Sequence, residues 1–351
     1  MCAREENDVT TAADTKVEPD AELRVGPVAT PSLANYWYPI GLASDVDEQP
    51  RRFTLLGEDL VAFRHGGEIS AMRDLCVHRG TRLSLGYLAD GRIVCPYHGW
   101  EYDCSGACVH IPSLPPGSAI PKKARTDVYR TEEKYGLVWV ALADPVAPIP
   151  PWPDDAWAED SPFTVLLAWR QRWQANAGRV TENAMDFSHF NFVHRGLTEL
   201  EDGPIIKPHD VEVTEYGLHY SYYDSAITRE YMVYAPFTLH DRKEDANGNV
   251  SILTGFHTPI DAFTTDIFSF TARNHDKATA LENRGLQQDE SQVISLSERV
   301  AAQDRMIVES QRPEMIPLDL RDELHLKVPD ASGIAYRKLL ASIAGSTPFM
   351  P

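Results

Sequence analysis

The chain has few cysteines, little positive charge and no long apolar run, and each of these absences argues against one class of protein. Five cysteines in 351 residues are too few for a disulfide scaffold. With 33 Lys and Arg against 52 Asp and Glu, the net charge is −19, which argues against nucleic acid as a partner because phosphates are neutralised by clustered cations. No apolar run approaches the length of a membrane span, and no charged-then-apolar N-terminus suggests secretion. We therefore predict a cytoplasmic protein without a membrane partner.

Length and composition predict about two domains. The chain has 43% hydrophobic residues, enough for a sizeable core. Residues 1–32 are predicted to be a flexible acidic tail. Residues 33–145 contain short β-like runs separated by turn dipeptides, which indicates an all-β domain. Residues 146–160 are rich in proline and are predicted to form a stiff linker. Residues 161–351 combine strand-like and helix-like stretches, which predicts a second domain built from an antiparallel sheet and helices.

Two motifs combine cysteine with histidine. Cys76-Val77-His78 and Cys95-Pro96-Tyr97-His98 are separated by sixteen residues. Four such ligands can hold one zinc ion or a Rieske 2Fe-2S cluster, in which two histidines replace two cysteines on one iron. The spacing favours the cluster, because zinc fingers usually pair Cys with Cys and then His with His. The remaining pair near this site, Cys104 and Cys108, flanks a predicted hairpin turn, and reduced thiols are expected for it in a cytoplasmic protein.

A second histidine pattern follows about ninety residues later. It contains Asp186, His189 and His194 in the spacing D-x2-H-x4-H. Two histidines and a carboxylate with open positions are the ligands of a non-haem Fe(II) oxygenase. Asp186 and His189 are three residues apart and would share one face of a helix. His194 would lie about 140° further round, so the helix must end or distort before His194 if both histidines bind one metal.

The chain resembles the Rieske non-haem iron oxygenases, as their terminal oxygenase component. The stretches LCVHRGTRLSLG, CPYHGWEYDCSGACVHIP, KYGLVWV and IVESQRP, together with E-x3-D-x2-H-x4-H, carry this resemblance. It extends from about residue 34 to 345 and is strongest to members that N-demethylate methylxanthines or O-demethylate aromatic methyl ethers. The resemblance implies an α+β fold, in which an all-β Rieske domain is followed by a helix-grip catalytic domain with an antiparallel sheet.

The resemblance also implies two metal centres. The 2Fe-2S cluster would be held by Cys76, His78, Cys95 and His98. A mononuclear Fe(II) would be held by His189, His194 and an aspartate on a late helix.

The helix that would supply this aspartate is predicted over Ser291–Arg312 and is expected to end at Pro313. Within it, D-x2-I-x-E-x-Q resembles the demethylating members and indicates Asp304, with Asp289 in reserve. Read without the resemblance, Asp304 would belong to a solvated face of charged residues.

Further roles come from the same resemblance. Asp186 would bind no iron but would accept hydrogen bonds from an iron-ligand histidine and from a cluster-ligand histidine of a neighbouring subunit, which implies a homotrimer. Asn183 and Asn176 would be polar residues near the metal, with a weaker claim to function than Asp186. A separate NAD(P)H-dependent reductase or ferredoxin would supply electrons, because no nicotinamide or flavin motif is present in the chain.

The predicted function is monooxygenation of a small, aromatic or heterocyclic organic substrate with O2 as co-substrate, as hydroxylation or as oxidative N- or O-demethylation. Cis-dihydroxylation of an aromatic ring uses the same metals and is the alternative within enzymes. A Rieske electron-transfer protein without oxygenase activity is the alternative from another class. The substrate pocket is expected between Leu197 and Arg273 and near Asp289–Met306, and the aromatic residues of that region are expected to be core.

Overall fold

The computed structural model describes residues 32–225, 227–275 and 290–344, without the side chains of residues 290–293 and 344. The predicted tail therefore lies almost wholly outside the described residues, and so does the reserve ligand Asp289. Within the described ranges, no helix combines the length and the apolar character needed to cross a membrane.

The first sheet has six antiparallel strands in the order β1-β10-β9-β4-β3-β2. They are β1 (Tyr38–Leu42), β2 (Arg51–Leu55), β3 (Glu58–His65), β4 (Glu68–Arg73), β9 (Val128–Lys134) and β10 (Leu137–Ala141). Gly66 and Gly67, both with positive φ, join β3 to β4, as expected for a two-residue hairpin turn whose twist suits the strands.

The second sheet has four short strands in the order β5-β6-β7-β8. They are β5 (Tyr87–Ala89), β6 (Arg92–Val94), β7 (Glu101–Tyr102) and β8 (Cys108–His110). One Cys/His loop follows β4 and the other joins β6 to β7. These two sheets confirm the predicted all-β first half of the described chain.

The third sheet has seven antiparallel strands in the order β11-β17-β16-β15-β14-β13-β12. They are β11 (Thr164–Trp173), β12 (Val211–Val213), β13 (Gly217–Asp224), β14 (Ile227–Tyr234), β15 (Thr238–Asp245), β16 (Val250–Pro259) and β17 (Thr265–Arg273). Six strand-like runs are predicted here from the sequence, at residues 164–173, 210–214, 218–224, 230–235, 250–257 and 264–272. None of them corresponds to β15.

Four α-helices lie within the described residues: α1 (Ala177–Met185), α2 (Phe190–Val193), α3 (Glu290–Val308) and α4 (Ala331–Ala344). Helix α3 ends at Val308, before the predicted stop at Pro313. The chain tightens there, because the N–H groups of Ser310 and Gln311 bond to carbonyls three residues earlier. The mixed content of sheets and helices confirms the predicted α+β fold.

The first and third sheets share a continuous core. Trp139 of β10 packs edge-on against Phe256 of β16 with ring centroids 5.1 Å apart. Thr258 Oγ1 donates a hydrogen bond of 2.6 Å to the carbonyl of Pro39. The proline-rich segment is packed into the same core through Trp152, which is 5% exposed. The first sheet, the proline-rich segment and the third sheet are thus parts of one packed body.

Candidate active site

Two loops of similar backbone shape carry the predicted cluster ligands. In each loop the cysteine carbonyl accepts a hydrogen bond from a glycine N–H, Gly80 to Cys76 at 2.9 Å and Gly99 to Cys95 at 3.0 Å. The glycines have φ values of 71° and 70°, which residues with side chains rarely adopt. Each loop therefore turns back on itself at the glycine. The turns bring the His78 and His98 rings to a centroid distance of 4.6 Å.

The cysteine side of this site is buried, whereas the histidine side reaches the surface. Cys76 and Cys95 are 1% and 2% exposed, and the Tyr102 hydroxyl lies 3.1 Å from Cys76 Sγ. Trp100 stacks on His78 with ring centroids 4.5 Å apart. His98 is exposed. A group bound between the loops would be shielded on its thiolate side and approachable from its imidazole side.

The donor atoms of this site fit an iron–sulfur cluster. Nδ1 of His78 is buried and has no hydrogen-bond partner among the described residues, as expected for a ring nitrogen that binds a metal. Burial raises the pKa of the Cys95 thiol, so a bound cation is needed to hold it as the thiolate that binds metal. Two thiols and two imidazoles in this arrangement match the ligand set of a Rieske centre.

A second set of ligand atoms converges in the other half of the chain. The Nε2 atoms of His189 and His194 lie 3.1 Å apart. Oδ1 of Asp304 lies 3.4 Å from His189 Nε2 and 3.1 Å from His194 Nε2. The side chain of Asp304 is only 15% exposed, so it does not lie on a solvated face. These three residues alone among the described ones form a group able to hold a metal ion in this way.

Helix α1 ends just before this second site. Asp186 is its C-cap residue, with extended backbone angles of φ −85° and ψ 138°. The prediction that Asp186 and His189 share a helical face is therefore wrong. A turn joins them instead, in which the Asp186 carboxylate accepts the N–H groups of Ser188 at 2.9 Å and His189 at 3.2 Å. The short helix α2 then places His194 at its own C-terminal end, so the break expected before His194 occurs earlier in the chain.

Each histidine of this triad is held by an acceptor at its other ring nitrogen. Nδ1 of His189 lies 2.9 Å from Asp186 Oδ2. Nδ1 of His194 lies 3.0 Å from Gln303 Oε1. Each acceptor fixes the proton on Nδ1 and leaves the Nε2 lone pair for a metal, the usual arrangement around metal-bound imidazoles. The role of Gln303 could not be predicted from the sequence, because nothing in its neighbourhood along the helix distinguishes it from a solvent-exposed glutamine.

The electrostatics of the triad favour a cation at its centre. Oδ1 of Asp304 is buried and accepts no hydrogen bond from the described residues. Burial by itself lowers the pKa of His189, but Asp186 and Asp304 outweigh burial and raise this pKa to about 9. Two carboxylates thus favour positive charge at this position. Bound iron supplies the same charge, so the residues present fit a mononuclear metal.

A cavity of about 690 Å³ opens beside the triad. His189, His194 and Asp304 all line it. Its wall is the face of the third sheet that looks toward α3, and its volume lies within the range of small-molecule sites. Most of its lining residues lie within the two stretches where the substrate pocket is expected, Leu197–Arg273 and Asp289–Met306. Seven aromatic residues of that region do not line the cavity. Six of them are buried in the core as expected, namely Tyr222, Tyr231, Phe237, Phe256, Phe268 and Phe270, whereas Tyr234 is only partly buried.

Comparison with known proteins places this arrangement in a family. Residues 36–130 match the Rieske 2Fe-2S domain, and residues 173–225 and 223–345 match the vanillate O-demethylase oxygenase C-terminal domain. Methylxanthine N1-demethylase NdmA of Pseudomonas putida is 32% identical over 332 residues, 89% of each chain. The chain belongs to the Rieske non-haem iron oxygenase family. It is therefore an oxidoreductase, and its first half is a Rieske 2Fe-2S domain.

Solved structures of two demethylases are similar to this chain over most of its length. Pseudomonas putida NdmA with caffeine is similar with a TM-score of 0.77 and 30% identity, covering 88% of this chain and 90% of that one. NdmB of the same organism has a TM-score of 0.77 at 26% identity, covering 90% of this chain and 95% of that one.

Three further residues of the oxygenase motif have defined positions in the fold. Asn176, considered as a residue near the metal, is the N-cap of α1. Its side chain accepts the N–H of Gly178 at 3.1 Å and donates to the carbonyl of Ala262 at 2.9 Å. Glu182 pairs with Arg337 of α4 at 2.6 Å, away from the triad. Asn183 does line the cavity, as its predicted place near the metal requires.

Cys108 of this Rieske oxygenase carries a free thiol. It therefore forms no disulfide with Cys104, and the reduced thiol expected for Cys108 is confirmed. Cys104 is itself disulfide-bonded, so the reduced thiol expected for that residue is wrong. Burial raises the pKa of Cys108 to about 11, so the thiol stays protonated and unreactive at neutral pH.

Proposed function

We propose that this chain is a terminal oxygenase that monooxygenates a small, aromatic or heterocyclic substrate by hydroxylation or by oxidative N- or O-demethylation. The observation that carries the proposal is the placement of His189, His194 and Asp304 on the wall of a cavity large enough for a small molecule. A metal held there would meet a bound organic molecule directly. The similarity to a methylxanthine N1-demethylase makes demethylation the first reaction to test.

In this proposal the cluster lies between Cys76, His78, Cys95 and His98, and a mononuclear Fe(II) lies between His189, His194 and Asp304. When bound, the two groups supply single electrons and the activation of O2. The electrons come from a separate reductase or ferredoxin that draws on NADH or NADPH.

The protein's own residues then have defined tasks. His189 and His194, through their Nε2 lone pairs, and the Asp304 carboxylate would hold the iron at the wall of the cavity. Asp186 and Gln303 orient the two imidazoles. The apolar part of the cavity wall, including Leu239, Leu253 and Ile267, excludes water and holds the carbon skeleton of the substrate.

Asp186 is proposed as the bridge for electrons between subunits of a homotrimer. Its side chain remains 34% exposed although one carboxylate oxygen is bound to His189. The imidazole edge of the cluster loops is exposed as well, at His98. A carboxylate that can accept from two imidazoles is suited to join the exposed cluster edge of one chain to the iron site of the next.

The proposal is tested by turnover with a reductase, NAD(P)H and a panel of N-methyl and O-methyl aromatic compounds. The expected result is O2 uptake with release of formaldehyde on demethylation, or with a hydroxylated product that carries one labelled oxygen atom, and the Asp304→Ala variant should show neither. Asp319→Ala, at an exposed ion pair, is the matched control and should retain turnover.

Other outcomes would replace the proposal. Formation of cis-diols with both oxygen atoms incorporated would identify a ring dioxygenase. A cluster that exchanges electrons in a protein that contains no mononuclear iron and consumes no O2 with any substrate would identify an electron-transfer protein.

A further inference from the structure

Cationic and hydroxyl side chains form a row across the sheet that walls the cavity. Arg229 of β14 lies opposite Lys243 of β15. Lys243 lies opposite Ser251 of β16, and Ser251 lies opposite Arg273 of β17. Directly paired residues point to the same face of a sheet, and all four line the same cavity as the iron triad.

The positive charges of this row repel each other. Burial lowers the pKa of Lys243, and the charges of Arg229 and Arg273 lower it further while Asp241 opposes them. Lys243 pairs with Asp241 at 2.9 Å, and Arg229 approaches the same carboxylate at 3.5 Å. One carboxylate is thus shared by two cations.

Arg273 has no counter-charge within the described part of the chain. None of the ion pairs or hydrogen bonds found there involves its guanidinium, and burial lowers its pKa. A partly buried cation without a partner is costly for the fold. An unpaired cation in the wall of a cavity indicates that an anionic ligand binds there and supplies the missing counter-charge.

The nearby carboxylates of the cavity wall are engaged elsewhere. Asp224 accepts the N–H groups of Glu201 and Asp202, each at 3.0 Å. Asp245 accepts from Asn249 at 2.9 Å. Arg273 is therefore left for a group that enters from outside the wall.

We propose that the substrate of this oxygenase carries a carboxylate, which binds to Lys243, Ser251 and Arg273 while the carbon to be oxidised lies at the iron triad. The part of this inference that concerns oxidation of the substrate rests on the proposed function. The part that concerns binding of the carboxylate rests only on the row of cationic and hydroxyl side chains. Arginine presents a planar pair of N–H groups that matches a carboxylate, lysine adds a compact charge, and the serine hydroxyl adds one donor.

The test compares acids with their uncharged counterparts. Two aryl acids of different length, 4-methoxybenzoate and 3-(4-methoxyphenyl)propanoate, are titrated into the purified oxygenase by calorimetry beside their primary amides. The acid of the preferred length should bind at least about tenfold more tightly than its amide, as charge-assisted hydrogen bonds predict. Arg273→Gln should abolish that ratio, and Lys243→Gln should reduce it.

Two control variants separate charge at the row from other effects. Arg273→Lys keeps the charge but not the planar fork, so part of the preference should return. Arg130→Gln removes one positive charge at an exposed ion pair outside the cavity and should leave the ratio unchanged. Three outcomes would overturn the inference. They are equal binding of acids and amides, absence of binding by all four compounds, and a preference for the acid that survives Arg273→Gln.

Failure of the inference and failure of the proposed function are distinguishable. An acid that binds through Arg273 but is never oxidised, in protein that retains both iron centres, would leave the carboxylate site standing and count against the oxygenase reaction. An acid oxidised with the same kcat/KM by the parent chain and by Arg273→Gln would leave the oxygenase reaction standing and remove the carboxylate site.

Discussion

Gln303 fixes the orientation of His194 from the residue directly before Asp304. The side-chain oxygen of Gln303 lies 3.0 Å from His194 Nδ1, and Asp304 Oδ1 lies 3.1 Å from Nε2 of the same ring. Two consecutive residues of α3 thus lie beside the two ring nitrogens of one imidazole. This relationship gives α3 a second task besides supplying a carboxylate.

We expect Gln303→Leu to lower iron affinity about 10- to 100-fold, because the ring of His194 loses its orienting acceptor. Gln303→Glu retains an acceptor and should lose less. Iron retained after dialysis against a graded series of chelator concentrations measures the effect, while the visible spectrum of the cluster serves as the internal control. Equal retention of iron by Gln303→Leu and the parent protein would show that His194 is positioned without Gln303.

His189→Ala, His194→Ala and Asp304→Ala should each remove the mononuclear iron and leave the cluster spectrum intact, because the two ligand sets lie on different loops and helices. Metal analysis combined with the visible spectrum checks this. If Asp304→Ala keeps full iron and activity, the third ligand lies elsewhere, and Asp289 is then the next residue to replace.

Asp186→Asn should keep the mononuclear iron but slow electron transfer to it severely. The amide retains the shape of the carboxylate but lacks the charge that polarises the imidazole of His189, at 2.9 Å. In a single-turnover experiment with O2 and substrate, the reduced cluster should persist. Oxidation of the cluster at the parental rate would exclude Asp186 as the bridge, and loss of the iron would instead make it a metal ligand.

His78→Cys should lower the reduction potential of the cluster and shift its visible spectrum, because an anionic ligand replaces a neutral one. The unpartnered Nδ1 of His78 is the atom that this substitution removes. Potentiometric titration of the purified variant measures the change. Zinc in place of acid-labile sulfide in the parent protein would refute the cluster assignment itself.

Arg337→Met should destabilise the fold by about 3–5 kcal/mol, the typical cost of breaking a buried ion pair. Arg337 is 3% exposed and bonds to Glu182 and Glu323, each at 2.6 Å. Its removal would leave two carboxylates without this partner between α1 and α4. Urea denaturation measures the loss. Arg321→Met, at an exposed pair with Asp319, should unfold at nearly the parental urea concentration.

The cluster loops were predictable because their information is local. Cys76 and His78 are separated by one residue, Cys95 and His98 by two, and each pair is followed within two residues by a glycine with positive φ. A loop of this length has few conformations that satisfy its backbone. The residue types and their spacing therefore indicated the ligand set without knowledge of the rest of the fold.

Strand β15 was missed for a reason that concerns function. Its residues Asp241, Lys243 and Asp245 face the cavity, so the strand lacks the apolar alternation by which half-buried strands are recognised. Recognition of strands by their apolar alternation fails most often where the side chains of a strand line a polar functional site. One of these residues, Lys243, belongs to the proposed carboxylate site.

The sequence by itself determined the two ligand motifs, most of the strands and the family resemblance, because these depend on spacing within short segments. Only the tertiary structure decided that Asp186 acts from a turn and not from a helix, that Gln303 orients His194, and that Arg273 stands without a counter-charge among the described residues. Such facts depend on segments brought together from distant parts of the chain. Their contacts are set by packing of the whole sheet against α1 and α3, which no short stretch of sequence encodes.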